Sequence, residues 1–176
     1  MSFFENTREP VGLGGRIMVC AMNIGHRALA GWGLQFLKTA PDAKILDCGC
    51  GGGANLARLL KRCPQGVVKG IDVSAVSAEK ARSRNRAAIA ARRCVVWQGS
   101  VEQIIFADAW FDAVTAFETV YFWPDLPHCF REVWRVLKPG GTFLICNECS
   151  GDTDKDDKWT RKIPGMTIYR DVQLQA

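Results

Sequence analysis

Short apolar runs alternate along the chain with stretches of helical spacing. Ile45-Leu46, Val67-Val68 within 66–72, Cys94–Gln98, Phe111–Phe117 and 142–147 read as five strands. Each is too short for a helix and is bounded by glycine, proline or charge. After the first run, Leu56, Leu59, Leu60 and Cys63 fall at i, i+3, i+4 and i+7, the spacing of one buried helix face. Lys61 and Arg62 suit the last turn of that helix, and Pro64 and Gly66 stop it. Residues 74–93 predict an alanine-rich helix. Residues 125–138 predict another, capped by Asp125 and ended by Pro139-Gly140-Gly141, with Leu126, Phe130, Val133, Trp134 and Leu137 as its inner face. Strand and helix in alternation give a doubly wound parallel α/β sheet. Residues 16–38 predict a helix in one or two pieces, broken near Asn23-Ile24-Gly25. Ile17, Met18, Ala21 and Met22 form one apolar face of it; Leu29, Trp32, Gly33, Phe36 and Leu37 form another. The chain thus divides into an N-terminal helical cap (1–40), an α/β core (41–150) and a charged C-terminal segment (151–176).

The rest is organised around Lys44-Ile45-Leu46-Asp47-Cys48-Gly49-Cys50-Gly51-Gly52-Gly53. A strand runs through Asp47 into a glycine turn, and a helix follows. Glycines let the backbone turn tightly and approach a ligand where a Cβ would clash. Two cofactors compete for this turn. Gly49-Cys50-Gly51-Gly52-Gly53-Ala54 satisfies GxGxxG/A, which would hold a dinucleotide pyrophosphate at the helix N-terminus. Including Asp47 makes the motif acidic-x-Gly-x-Gly-x-Gly. A carboxylate there repels a pyrophosphate and suits S-adenosylmethionine, which carries an ammonium and a sulfonium and no phosphate.

Asp72 ends the second strand 23 residues after Gly49, where a carboxylate can accept both ribose hydroxyls of a nucleoside. Adjacent Ser74 already fills the alternative role of helix cap. After the fourth strand, Glu118-Thr119-Val120-Tyr121-Phe122-Trp123-Pro124 is an aromatic loop with one carboxylate, at the edge where open α/β sheets place ligands. Glu118, His26, Tyr121 and His128 are the candidates for acid–base chemistry.

Composition narrows the field. The 176 residues fit one domain, and 48% hydrophobic with 23% charged residues suits an ordinary globular protein. Residues 1–20 include Glu5, Arg8, Glu9 and Arg16 and lack the apolar core of a signal peptide, and no segment approaches a bilayer span. Eight cysteines, mostly in apolar stretches such as Cys94, Cys129 and Cys146, predict reduced thiols in a cytoplasm. Cys48-x-Cys50 and Cys146-x-x-Cys149 sit at strand ends, where alternate side chains diverge, so no metal site is predicted. The net charge is 23 − 18 = +5, and Lys80, Arg82, Arg84, Arg86, Arg92 and Arg93 cluster on one helix. No aromatic residues interleave them, so a solvated face is expected rather than a nucleic-acid surface.

Residues 45–53, 70–73, 111–117 and Leu137-Lys138-Pro139-Gly140-Gly141 stand in an order and spacing that resembles class I S-adenosylmethionine-dependent methyltransferases, most of all the small-molecule type related to ubiquinone/menaquinone methylation enzymes. The resemblance covers about residues 40–150. It implies that Asp47, Gly49, Cys50 and Gly51 shape the amino-acid end of a cofactor pocket. Asp72 would hold the ribose, Val73 would lie against the adenine, and Phe117 and Glu118 would flank the reacting methyl. Ser100 and Val101 follow strand three at the adenine end. Ser100 stands where the family often has Asp, and a hydroxyl makes that contact only weakly. The Asn/Asp-Pro-Pro-aromatic motif of nucleobase methyltransferases and a Pro-Cys nucleophile are both missing, which favours a small-molecule acceptor, with no nucleic acid and no membrane as partner. The resembled fold continues past strand five with a helix and an antiparallel hairpin. Their absence implies a truncated or split domain, with self-association through strand 142–147 or cover of that edge by 150–176. A non-catalytic S-adenosylmethionine-binding module and, third, an NAD-dependent oxidoreductase are the alternatives.

Overall fold

The computed structural model describes residues 10–153 and 156–175. Residues 1–9 of the expected helical cap lie outside them. Five strands, β1 (Lys44–Cys48), β2 (Val67–Asp72), β3 (Cys94–Gln98), β4 (Phe111–Phe117) and β5 (Leu137–Cys146), form one sheet in the order β3-β2-β1-β4-β5, every neighbour parallel. The chain steps outward from β1 to β2 and β3, then crosses to β4 and β5. The order therefore reverses between β1 and β4, which opens a crevice at their C-terminal ends.

Helices cover both faces because successive strand residues point to opposite sides. Ile45, Val68, Val96 and Ala113 pack with Leu56 and Leu59 of α3 (Ala54–Arg62) and with Ala78 and Ala81 of α4 (Ala75–Arg84). Leu46, Ile71, Phe111 and Val114 pack on the other face with Cys129, Val133 and Val136 of α6 (Leu126–Val136). At the N-terminus come α1 (Gly12–Gly25) and α2 (Arg27–Gly33), broken at His26 as the sequence predicts. A short α5 (Arg86–Ala90) precedes β3, and α7 (Asp157–Lys162) and α8 (Asp171–Leu174) follow β5.

Four local expectations are corrected. The single helix over 74–93 breaks at Asn85, whose side-chain amide donates to the Gly53 and Ala81 carbonyls at 3.0 and 2.9 Å and ties the break to the glycine turn. Strand five begins at Leu137 rather than 142, with a register irregularity between Phe111 and Ala113. Pro139-Gly140-Gly141 is thus a bulge inside the strand rather than a stop before it. Trp134 is 82% exposed instead of facing inward, and Trp32 and Phe36 form an edge-to-face pair on the surface. The arginines expected to be a solvated face are partly structural anchors: Arg82 donates to Val96 O, Arg84 to Gly52 O, and Arg93 to the carbonyls of Gly66, Leu60 and Cys63.

β5 is the last strand of the sheet, and no strand pairs with its outer side among the described residues. Phe143 and Ile145 of β5, and Tyr169 and Leu174 from the segment after it, pack against the same buried cluster. No described helix is long and apolar enough to cross a membrane.

Candidate active site

The glycine turn is fixed from both sides. Gly49 and Cys50 N–H both donate to Ile71 O, at 2.9 and 3.0 Å, and Gly51 N–H donates to Asp72 Oδ2 at 2.8 Å. Gly49 has φ +70°, and a Cβ on it would run into Thr119, so neither conformation nor space admits a side chain. Gly51, at φ +51°, meets nothing within 4 Å, because it looks into the crevice. The second oxygen of Asp72 accepts from Ser74 N at 2.9 Å, while Ser74 Oγ accepts from Ser77 N as the cap of α4 and donates to Pro10 O. Capping is therefore left to Ser74, and Asp72 holds the turn.

The crevice is a cavity of about 480 Å³, within the ordinary range for a small-molecule site. Of the residues singled out in the sequence, Gly49, Cys50, Gly51, Asp72, Val73, Ser100, Val101, Phe117, Glu118, Tyr121 and His26 line it. Asp47 does not. It is 1% exposed beneath the turn, Thr115 Oγ1 donates to it at 2.7 Å, and burial pushes its carboxyl up to about 7. The carboxylate expected to meet a cationic ligand is thus held by the Thr115 hydroxyl and is not among the residues that line the cavity. His128 is also elsewhere, with Nε2 2.8 Å from Glu102 O. Ser100 Oγ donates to Glu102 Oε2 at 3.1 Å, and Glu102 itself lines the cavity, so a carboxylate stands two residues after the place where the resembled family often carries Asp.

On the β4 side, three of the four residues proposed for acid–base chemistry converge. Glu118 adopts a left-handed backbone, φ +57°, which is costly for a residue with a Cβ. Its Oε1 accepts from Glu148 N–H and lies 3.4 Å from the Tyr121 hydroxyl, and its Oε2 lies 3.8 Å from His26 Nε2. Tyr121 Oη in turn accepts from Cys149 N at 2.8 Å. Burial pushes Glu118 up to about 7, reinforced by the charge of Glu148 and opposed by the Glu148 N–H and the Tyr121 hydroxyl. Burial lowers His26, against the charge of Glu148, which favours a neutral imidazole. Donor atoms of His26, Glu118 and Glu148 all lie within 4.8 Å of one another, so these are the described side chains able to converge on a cation; the sequence pointed to no such group. The seven described cysteines are free and buried. Burial raises Cys48 and Cys50 well above the ordinary thiol value, which makes them poor nucleophiles.

Several lining residues were not anticipated. Met18, Val19 and Leu29 come from the N-terminal helices, Arg58 from α3, and Trp159, Ile163 and Met166 from the segment expected to be merely charged. Trp159 and Ile163 are one helical turn apart, the only local signal that this segment has an inner face. Thr167 N–H donates to Tyr121 O at 2.8 Å and anchors it beside the cavity.

With this geometry in view, the relatives are informative. A family described as a methyltransferase domain matches residues 46–145. Cycloartenol-C-24-methyltransferase of Arabidopsis thaliana is 34% identical over 126 residues, covering 71% of this chain and 37% of that protein. The chain spans less than half the length of the first curated relatives it matches. Among solved structures, geranyl diphosphate C-methyltransferase from Streptomyces coelicolor A3(2) superposes with TM-score 0.73 at 22% identity, over 84% of this chain and 55% of that one. A chain from the complex of the Haloferax volcanii Trm112 methyltransferase activator superposes with TM-score 0.82 at 24% identity, over 89% and 68%. These two likenesses establish the fold alone. The family match takes in the glycine turn, Asp72 and the end of β4 together, and by it the chain belongs to the methyltransferase-domain family.

Proposed function

We propose that this chain transfers a methyl group from S-adenosylmethionine to a small-molecule acceptor. The observation that carries the proposal is the crevice at the β1/β4 reversal, where the glycine turn and Asp72 form one wall and Glu118, Tyr121 and His26 the other. The residues fit the cofactor: the free space above Gly51 admits a ligand against bare backbone, and Asp72 lines the cavity at the end of β2, where a carboxylate can accept from a ribose. Val73, Ser100, Val101 and Glu102 would flank the adenine, and Gly49 and Cys50 the amino-acid end. When bound, the cofactor supplies a methyl already activated by its sulfonium. The protein then mainly aligns the acceptor for in-line approach, a contribution of about 7–11 kcal/mol. Glu118 Oε2 takes the proton that the acceptor gives up, and the neutral His26 imidazole and Tyr121 hold that carboxylate in place.

The relative named for cycloartenol C-24 acts on a carbon of an apolar molecule, and the aromatic lining from Phe117, Trp123 and Trp159 suits an acceptor with an apolar body. The same proposal includes self-association through β5, an edge strand with no charge between Thr142 and Cys146.

Calorimetry with S-adenosylmethionine, S-adenosylhomocysteine and NAD is the test. Binding of the first two and not the third is expected; binding of NAD alone would replace this proposal with the oxidoreductase. A binding module without turnover on any acceptor would leave cofactor recognition and remove the catalysis.

A further inference from the structure

Two carboxylates meet beyond the C-terminal ends of β4 and β5 with no basic side chain to neutralise them. Glu118 follows β4 and Glu148 follows β5, and neither pairs with a lysine or arginine among the described residues. Their third neighbour is His26, from the break between α1 and α2. Donor atoms of the three lie within 4.8 Å of one another, and Glu118 Oε2 stands 3.8 Å from His26 Nε2, too far for a hydrogen bond. Glu118 is the fixed member: its side chain is 13% exposed, and its other oxygen accepts from the Glu148 N–H. The His26 side chain is 37% exposed and Glu148 is exposed, so both have room to swing. Next to Glu148 in the chain, Asn147 Oδ1 is the one buried side-chain oxygen or nitrogen among the described residues without a hydrogen-bond partner. This end of the sheet is rich in acceptors and short of positive charge.

We propose that His26, Glu118 and Glu148 form a binding site for a divalent cation of the zinc class. Zinc takes imidazole nitrogen and carboxylate oxygen together, and with three protein ligands it keeps a fourth position open. Bonds of about 2.0–2.2 Å in a tetrahedral shell set neighbouring donors about 3.4 Å apart. The His26–Glu118 pair, at 3.8 Å, therefore has only about 0.4 Å to close. Magnesium and calcium call for shells of oxygen, in which an imidazole is a poor member. Cys48 and Cys50 do not compete for the ion, because burial keeps their thiols protonated. All three ligands line the cavity, so the open position belongs to it. The site stands on these distances, and its consequence rests on the methyltransferase proposal. There, Glu118 Oε2 is the oxygen that takes the acceptor's proton, and an ion bound to it occupies the same lone pair. The loaded chain and the chain with a competent base are mutually exclusive forms.

The test titrates zinc chloride into the full chain by calorimetry, in a buffer that does not chelate, and repeats the titration on single variants. Wild type should bind zinc. Glu148→Gln and His26→Gln should each weaken that binding by at least about tenfold, since even the partners behind a metal ligand are worth that much. Asp42→Asn, at an exposed carboxylate before β1, should match wild type. If His26→Gln loses the native far-ultraviolet spectrum, Glu148→Gln at its exposed position decides alone. Cobalt chloride in place of zinc should give visible absorption without the charge-transfer band of a bound thiolate. No zinc binding, unchanged affinity in Glu148→Gln, an equal loss in Asp42→Asn, or cobalt held by thiolate would each overturn the site. Magnesium chloride binding as tightly as zinc, with the same dependence on the variants, would overturn the zinc class. S-adenosylhomocysteine titrated into the zinc-free chain decides the methyltransferase proposal separately. If only zinc binds, the site stands and its hold on a catalytic base is lost.

Discussion

Asp47 and Glu118 lie near the C-terminal ends of adjacent parallel strands, β1 and β4, with Asp47 in register with Thr115. Burial raises both to about 7, and it is the largest cause in each case. Their surroundings differ in everything else. Asp47 sits in regular strand, sealed by the sheet, with the Thr115 hydroxyl as its side-chain partner. Glu118 sits in a left-handed backbone, touches Tyr121, His26 and the Glu148 amide, and lines the cavity. A carboxyl that titrates near neutrality is therefore not by itself a catalytic group. What separates the two is whether the proton can be exchanged with a ligand.

That contrast can be broken in four ways. The largest effect should come from Gly51→Val, which fills the ligand side of the turn: S-adenosylhomocysteine binding should vanish in a titration while the far-ultraviolet spectrum stays native. Normal binding would show that the turn is not the pocket. Next, Glu118→Gln should lower kcat by about 10²–10⁴ and leave cofactor affinity in place. In wild type the rate should climb as pH rises through about 7, where Glu118 becomes an ionised base, and the Gln variant should lack that limb. An equal fall in Asp47→Asn would erase the distinction between the two carboxyls.

Asp47→Asn should act on stability instead. A folded-state value of about 7, above the ordinary 3.8, means that the folded chain holds a proton that the unfolded chain releases. The stabilisation is complete below about pH 4 and is lost as pH rises through about 7. Wild type should lose on the order of 2–3 kcal/mol from this group between pH 5 and 7, and denaturant melts of the Asn variant should be flatter over that range. Glu118 contributes with the same sign, so the double variant should be flatter still. The smallest effect belongs to Asp72→Ala, which should weaken S-adenosylmethionine binding by about 1.5–3 kcal/mol; unchanged affinity in the folded variant would remove the ribose assignment.

The two halves of the crevice were unequally legible in the sequence. The β1–β2 half is written in contiguous residues, because turn geometry, strand length and capping are all local: 44–53 and 70–74 contain the whole wall. The β4–β5 half draws on His26, Glu118, Glu148 and Trp159, which only the folded topology brings together. Chemistry alone could nominate Glu118, His26 and Tyr121, but their convergence depends on where α2 and the segment after β5 come to rest. Asp47 lies off the cavity lining because a motif records a residue's position and not its direction, and here the side chain meets the Thr115 hydroxyl. Trp134 was misjudged because helical spacing marks a face without saying how wide the buried stripe is. The arginines of 82–93 looked solvated because nothing local reveals a backbone carbonyl waiting across the fold.

The left-handed backbone of Glu118 has a consequence for anyone who redesigns this domain for robustness. Such a conformation costs about 1–3 kcal/mol in a residue with a Cβ, and glycine would remove that penalty. A search guided by thermal tolerance would therefore favour Glu118→Gly wherever that relief exceeds the loss of the acceptor that Glu118 offers the Glu148 N–H. The product would be a sturdier binder that turns over nothing. Selection for durability and selection for turnover pull on this one position in opposite directions, so a library screened only by heat should accumulate glycine there, and one screened by methyl transfer should not.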